Sequence, residues 1–225
     1  MATHVKAEFY SAVFFDMDGL FVNSEPLWLE AETELMAKHG VQWTLDDQAH
    51  CIGGPLSKVG GYMSQLALGV ESQEYFTEAV IEQVRTKMTQ GTPLMPGAIE
   101  LTRDLHANGV SIALVSASPR VLVDAVLNNI PEHFFSFSIS SSEVSMPKPD
   151  PEAYVKAAHD SGVNISDCLI FEDSLTGVTA AKASGAHVIA IPHIVRVEAS
   201  ERVHVGKSLE EFSFNSLQTR FSRHV

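Results

Sequence analysis

One hydrophobic run stops at two aspartates separated by a single residue, in Phe14-Phe15-Asp16-Met17-Asp18-Gly19, and no other feature constrains this chain as much. A parallel strand covered on both faces reads as unbroken apolar sequence, and polar residues enter where it reaches the edge of its sheet. Side chains alternate along a strand, so Asp16 and Asp18 are expected to project to one side while Met17 faces the other. Carboxylates that close repel, and they coexist with a cation between them or with one proton shared. Oxygen ligands of this kind suit Mg2+, which takes one or two carboxylates, keeps several waters and completes its shell with substrate phosphate. The spacing alone describes equally well a strand that ends in solvated aspartates and a turn glycine.

Three more polar positions stand where apolar runs stop. Residues 110–115 read as a strand ending in Ser116, and residues 168–171 as another ending in Glu172-Asp173. Between them, Lys148 lies in Pro147-Lys148-Pro149-Asp150-Pro151, where the prolines forbid a helix and are expected to hold the loop extended. Open α/β sheets bind ligands outside the carboxyl ends of their strands, so the four places are expected to converge on one crevice. Taken singly, Ser116 also reads as a helix cap, Lys148 as a solvated loop lysine, and Glu172-Asp173 as acids favoured at a helix start. The succession Asp-x-Asp, Ser, Lys, Glu-Asp favours a shared site.

In that succession the chain resembles the haloacid dehalogenase-like superfamily, over about residues 13–192. Asn23-Ser24-Glu25-Pro26-Leu27-Trp28 and Val115-Ser116-Ala117-Ser118-Pro119 are similar to its sugar-phosphatase branch, which includes 2-deoxyglucose-6-phosphate and hexitol phosphatases. The resemblance implies a phosphatase in which Asp16 is the nucleophile and forms an aspartyl-phosphate. It implies Asp18 as general acid and base, and Ser116, Ala117 and Lys148 as the groups that hold the phosphoryl oxygens. Mg2+ would be bound by the Asp16 carboxylate, the Asp18 backbone carbonyl and Asp173, with Glu172 beside them. The division is chemically sensible, because phosphoryl transfer depends mainly on positioning and electrostatic stabilisation. β-Phosphoglucomutase, which shares this architecture, is a second reading. Its histidine twelve residues after the nucleophile and its cap-loop arginine correspond here to Trp28 and Leu56, which favours hydrolysis. A non-catalytic phospho-aspartate receiver is a third reading, disfavoured because the Asp-x-Asp-Gly comes first and a long insertion follows it.

The expected fold is α/β: a Rossmann-like doubly wound parallel sheet core, residues 1–22 and 94–225, with an inserted α-helical cap, residues 23–93. Within the cap, Ser24 is a plausible N-cap for a helix carrying Leu27, Trp28, Ala31 and Leu35 and stopping at Gly40. A second helix is expected near 57–68, and a third bears Tyr75, Phe76, Ala79, Val80, Val84 and Met88. These stripes are packing faces. The first strand is expected over about 9–15, and from Pro93 onward the pattern alternates: helix 98–107, strand 110–115, helix 119–128, strand 137–140, helix 151–160, strand 168–171, helix 175–183, strand 187–191, then one helix in the tail after 205. Alternation of this kind predicts parallel strands with right-handed crossovers. Hinges are expected near 21–24 and 90–95, and Gly53-Gly54-Pro55, near His50 and Lys58, reads as a loop or an ordinary turn.

Composition sets the class of partner. A formal charge of −13 argues against nucleic-acid and anionic-membrane partners, which require a concentrated cationic face. The first eight residues lack the build of a signal peptide, and no apolar run approaches a membrane span. Cys51 and Cys168 suggest reduced thiols, and the ten histidines show no metal-ligand spacing. A cytoplasmic monomer acting on a small phosphorylated metabolite is the expectation.

Overall fold

The computed structural model describes residues 9–51, 55–130, 132–192 and 196–221; the leader reading, the Gly53-Gly54 loop and the last residues of the tail lie outside these. Six parallel strands form one sheet: β1 (Ala12–Phe15), β2 (Ser111–Val115), β3 (Phe137–Ile139), β4 (Cys168–Glu172), β5 (His187–Ala190) and β6 (Val203–Val205), in the order β3-β2-β1-β4-β5-β6. The order reverses at β1, whose neighbours β2 and β4 leave it on opposite sides, and that is where open α/β sheets form their crevice.

The strands are apolar because both faces are covered. Val13 and Phe15 point into one buried cluster with Ile112, Leu114, Leu169 and Phe171, while Ala12 and Phe14 point into another with Ala113, Val115 and Ile170. The helices that cover the sheet are α5 (Ala98–Ala107), α6 (Arg120–Leu127), α7 (Glu152–Asp160), α8 (Leu175–Ser184) and α9 (Phe214–Phe221).

Between β1 and β2 come α1 (Glu25–Lys38), α2 (Leu45–Cys51), α3 (Leu56–Leu66) and α4 (Gln73–Met88). Helix α4 packs on α1, α3 and α6, so its stripe Phe76, Val80, Val84 and Met88 is continuous with the cluster under the sheet. Gly40 ends α1 as expected: it adopts φ +72°, a conformation glycine reaches without a Cβ clash, and the Val41 N–H returns to the Met36 carbonyl at 3.0 Å. The two chain crossings between the helical segment and the sheet lie side by side. Asn23 N donates to the Pro93 carbonyl (2.8 Å), Met95 N donates to the Phe21 carbonyl (2.9 Å), and Val22 pairs antiparallel with Leu94.

The backbone differs from expectation in four places. Strand β1 begins at Ala12 rather than Phe9, because its partners start opposite that residue, at Ser111 and Cys168; Phe9 and Tyr10 pack instead on Phe214 and His187. Helix α2 has no apolar stripe to announce it. It is started by Thr44, whose hydroxyl donates to Asp47 Oδ2 (2.6 Å) and whose N–H donates to the same oxygen (2.8 Å). Strand β6 is three residues long and its alternating Val-His-Val carries no run. The loop around Lys148 turns instead of extending, with the Asp150 N–H donating to the Pro147 carbonyl at 3.0 Å.

Candidate active site

Ladder register decides which side chains meet. Phe15 lies opposite Leu114 on one side and Phe171 on the other, so one step further Asp16 is set beside Glu172 at the sheet edge, with its own N–H on the Phe171 carbonyl at 3.0 Å. The chain then folds back on itself. Phe21 and Val22 both donate to the Met17 carbonyl, at 2.9 and 3.0 Å, and Gly19 N donates to the Val22 carbonyl at 2.9 Å. Gly19 adopts φ +81°, and a Cβ there would collide with Asp173 Oδ2, so this turn has two independent reasons to carry glycine.

Lys148 reaches this edge from the loop after β3. Its ammonium is 2.6 Å from Asp16 Oδ1, 2.7 Å from Glu172 Oε1, 2.8 Å from the Tyr154 hydroxyl and 2.9 Å from the Val115 carbonyl, and the residue is only 8% exposed. Burial opposes the ammonium charge, but Asp16 and Glu172 outweigh it and hold the lysine above its ordinary value. Burial pushes Asp16 up to about 8, against the pull of Lys148 and with help from the charges of Glu172 and Asp18. Asp173 is raised well above the usual carboxylate range, again by burial first and then by Asp16 and Glu172.

Three carboxylates therefore face one another with too little positive charge. Ligand oxygens of Asp16, Glu172 and Asp173 all lie within 4.8 Å of one another. Their commitments differ. Glu172 Oε1 accepts from Tyr154 (2.6 Å) and Lys148, and Oε2 accepts from the Asp173 N–H (3.1 Å), the Ser174 N–H (3.4 Å) and the Ser174 hydroxyl (3.3 Å). Asp173 Oδ1 is buried without a hydrogen-bond partner among the described residues. A buried carboxylate oxygen is costly to leave unpaired. An orphaned oxygen within an all-oxygen donor set fits a hard divalent cation such as Mg2+.

Asp18 stands apart from that trio. Its Oδ1 accepts from the Ser24 hydroxyl at 2.6 Å and its Oδ2 from the Ser118 hydroxyl at 2.7 Å, with Ser116 Oγ at 3.5 Å. Ser24 thus corrects one expectation. It precedes α1 but makes no capping bond with its side chain, which holds Asp18 instead. Ser116 caps no helix either; α6 begins after Pro119, and the Ser116 hydroxyl accepts from the Ser118 N–H at 2.9 Å. Ala117 lies exposed between the two serines.

The structure thus brings Asp16, Lys148, Glu172 and Asp173 into one cluster and sets Asp18 and Ser116 beside it. Sequence reasoning missed Ser24, Ser118 and Tyr154. A second hydroxyl two residues after Ser116 is a signal that could have found Ser118, whereas Tyr154 sits in an ordinary helical stripe.

Residues 13–191 match the family model described as haloacid dehalogenase-like hydrolase. Hexitol phosphatase B of Escherichia coli (strain K12) is 32% identical over 185 residues, covering 80% of this chain and 83% of that protein. A probable pseudouridine-5'-phosphatase of Drosophila melanogaster is 31% identical over 209 residues, covering 88% and 89%. Two longer relatives from Arabidopsis thaliana are matched over only 18% and 55% of their own length. Among solved structures, a HAD hydrolase, family IA, variant 3, from Entamoeba histolytica superposes with a TM-score of 0.80 at 22% identity, covering 92% of this chain and 97% of the other, a likeness of fold.

Proposed function

The chain belongs to the haloacid dehalogenase-like hydrolases, and from that premise we propose that it is a Mg2+-dependent phosphatase of small phosphate monoesters, sugar and sugar-alcohol phosphates foremost, working through an aspartyl-phosphate on Asp16. The observation that carries this reading is the buried cluster at the switch point: a carboxylate nucleophile candidate held 2.6 Å from Lys148, with an orphaned Asp173 oxygen beside it and a second, separately held carboxyl on Asp18.

An Asp16 oxygen would attack phosphorus in line, and the bond from phosphorus to the leaving oxygen would break as Asp18 delivers a proton to that oxygen. Asp18 would then take a proton from water as the water attacks phosphorus, the bond to Asp16 would break, and inorganic phosphate would leave. Three hydroxyls, of Ser24, Ser116 and Ser118, hold Asp18 in place beside the cluster. Ser116, the Ala117 backbone and Lys148 would bind the non-bridging oxygens. Bound by Asp16, Asp173 and the Asp18 carbonyl, with Glu172 orienting them, Mg2+ would supply positive charge that neutralises the carboxylates and the phosphoryl oxygens.

Residues 23–93 would act as the cap, hinged where Val22 and Leu94 pair, excluding water and choosing the leaving group. The names of the two relatives, a hexitol phosphatase and a pseudouridine-5'-phosphatase, support phosphorylated polyols and ribosides as candidate esters. A mutase needs a second grip for a bisphosphate. Here the places of the mutase histidine and arginine carry Trp28 and Leu56, and the one arginine in 23–93, Arg85, is engaged by Glu82 at 2.6 Å. A cytoplasmic monomer belongs to the same proposal; a charge of −13 supports a chain without a nucleic-acid partner, and among the described residues no helix is long and apolar enough to cross a membrane.

The test is phosphate release from a panel holding 2-deoxyglucose 6-phosphate, glucose 6-phosphate, hexitol phosphates, pseudouridine 5'-phosphate, phosphoglycolate and β-glucose 1-phosphate, with Mg2+ and with chelator. Metal-dependent release is expected, ranked toward neutral polyhydroxy leaving groups. Isomerisation of β-glucose 1-phosphate without release would establish a mutase instead.

A further inference from the structure

Tyr154, in the first turn of α7, has no exposed surface, and its ring lies under the Lys148 ammonium, 4.6 Å from nitrogen to centroid. A phenylalanine would fill the same space and offer the same ring face to the cation. The hydroxyl therefore needs its own explanation, since a buried polar group is retained at a cost unless it is bonded. It is bonded twice: it donates to Glu172 Oε1 at 2.6 Å and accepts from Lys148 at 2.8 Å.

Counting protons shows what this does. An ammonium has three, and Lys148 has four acceptors in range: Asp16 Oδ1, Val115 O, Glu172 Oε1 and Tyr154 Oη. An arriving phosphoryl oxygen would make a fifth, so the lysine must release a neighbour to bind it. Releasing Glu172 would strand a wholly buried carboxylate oxygen if the lysine were its only donor. The Tyr154 proton stays on that oxygen whichever way the ammonium turns.

We propose that Tyr154 is a positioning residue for phosphoryl binding: its hydroxyl satisfies Glu172 Oε1 in place of Lys148 and so frees the lysine for the incoming phosphoryl oxygen. This rests on the phosphatase reading and adds a residue to it. Tyr154 does not itself touch the phosphoryl group; it acts through Lys148.

Tyr154→Phe removes one oxygen and keeps the ring. Calorimetric titration of wild type and variant with inorganic phosphate at saturating Mg2+, and with Mg2+ alone, separates the possibilities. The expected result is a phosphate dissociation constant raised about tenfold, the effect of one hydrogen bond to a charged group, with Mg2+ affinity within about twofold of wild type. Unchanged phosphate affinity in the variant, with wild type binding normally, would overturn the role of Tyr154 and leave the phosphatase reading standing. Equal losses of phosphate and Mg2+ affinity, together with a melting temperature lowered by more than about 10 °C, would make the hydroxyl structural and also overturn it. A wild type that binds no phosphate even with Mg2+ would overturn this inference together with the phosphatase reading beneath it.

Discussion

The sheet edge and the helical segment both bury carboxyl groups, and they manage the charge differently. At the edge, Asp16 and Glu172 are 7% and 0% exposed and share the Lys148 ammonium. In the segment, Glu32 of α1 is 3% exposed, accepts from the Trp43 indole N–H at 3.1 Å, and is pushed up to about 7, by burial first and then by the charge of Glu25. At the edge one ammonium is shared, and burial still holds Asp16 up at about 8, short of the further cation that would charge it. Burial beside a neutral donor holds Glu32 at about 7, so its carboxyl is near half protonated at neutral pH. The difference teaches where buried acid awaits a cation and where it does not: the edge gathers three carboxyls around one lysine, and the segment keeps a single carboxyl beside a neutral donor in a packed helical interior.

Substituting Asp16 by Asn should sharpen the contrast most. Turnover is expected to fall by at least about 10⁴-fold, as when a nucleophile is removed, while the melting temperature holds or rises because one of three crowded buried carboxyls has lost its charge. Phosphate release and a thermal melt on the same sample check both halves. Replacing Lys148 by Met should do the reverse to stability, costing about 3–5 kcal/mol in metal-free protein because Asp16 and Glu172 lose their shared cation; denaturant titration reads this, and Mg2+ is expected to recover part of the loss. Asp18→Asn should lower turnover about 10²–10⁴-fold without destabilising the edge cluster. Ser118→Ala, which removes one of the hydroxyls on Asp18, should cost roughly tenfold in kcat, about one hydrogen bond to a charged group, read from initial rates over a range of ester concentration.

The one effect that leaves turnover untouched belongs to Glu32. Its folded value of about 7 lies above its ordinary 4.5, so the stability it contributes is present in full below about pH 4.5 and is lost as pH rises through about 7. The loss is bounded on the order of 3 kcal/mol. Glu32→Gln removes that slope, so denaturation midpoints of variant and wild type should diverge between pH 5 and pH 8, in favour of the variant at pH 8. Parallel pH profiles would contradict the view that burial, ahead of its neighbours, holds this carboxyl up.

The chemical edge was legible in the sequence because a buried parallel strand cannot hide a change of character: Phe15 to Asp16, Val115 to Ser116 and Phe171 to Glu172 are each abrupt. Elements with a long apolar stripe, such as α4, were legible for the same reason. Short elements were not. Helix α2 rests on a Thr44–Asp47 turn, and β6 exists because β5 offers an edge for Val203 and Val205 to join. Residues that act by hydrogen bonding to a functional group were hidden too. Ser24 looks like a cap and Tyr154 like packing, and only the fold brings their hydroxyls to Asp18, six residues away across a turn, and to Glu172, eighteen residues away.

The central claim is that Asp16 carries the phosphoryl group, and trapping it is the most direct test. Wild type mixed with a turned-over ester and Mg2+ is quenched within a turnover, reduced with borohydride and digested, and the peptide containing residue 16 is sequenced by mass spectrometry. An acyl phosphate reduces to an alcohol, so homoserine at position 16, absent when ester is omitted and absent from Asp16→Asn, is the predicted result. Steady release of phosphate with residue 16 unmodified, or reduction at another carboxylate, would contradict the account.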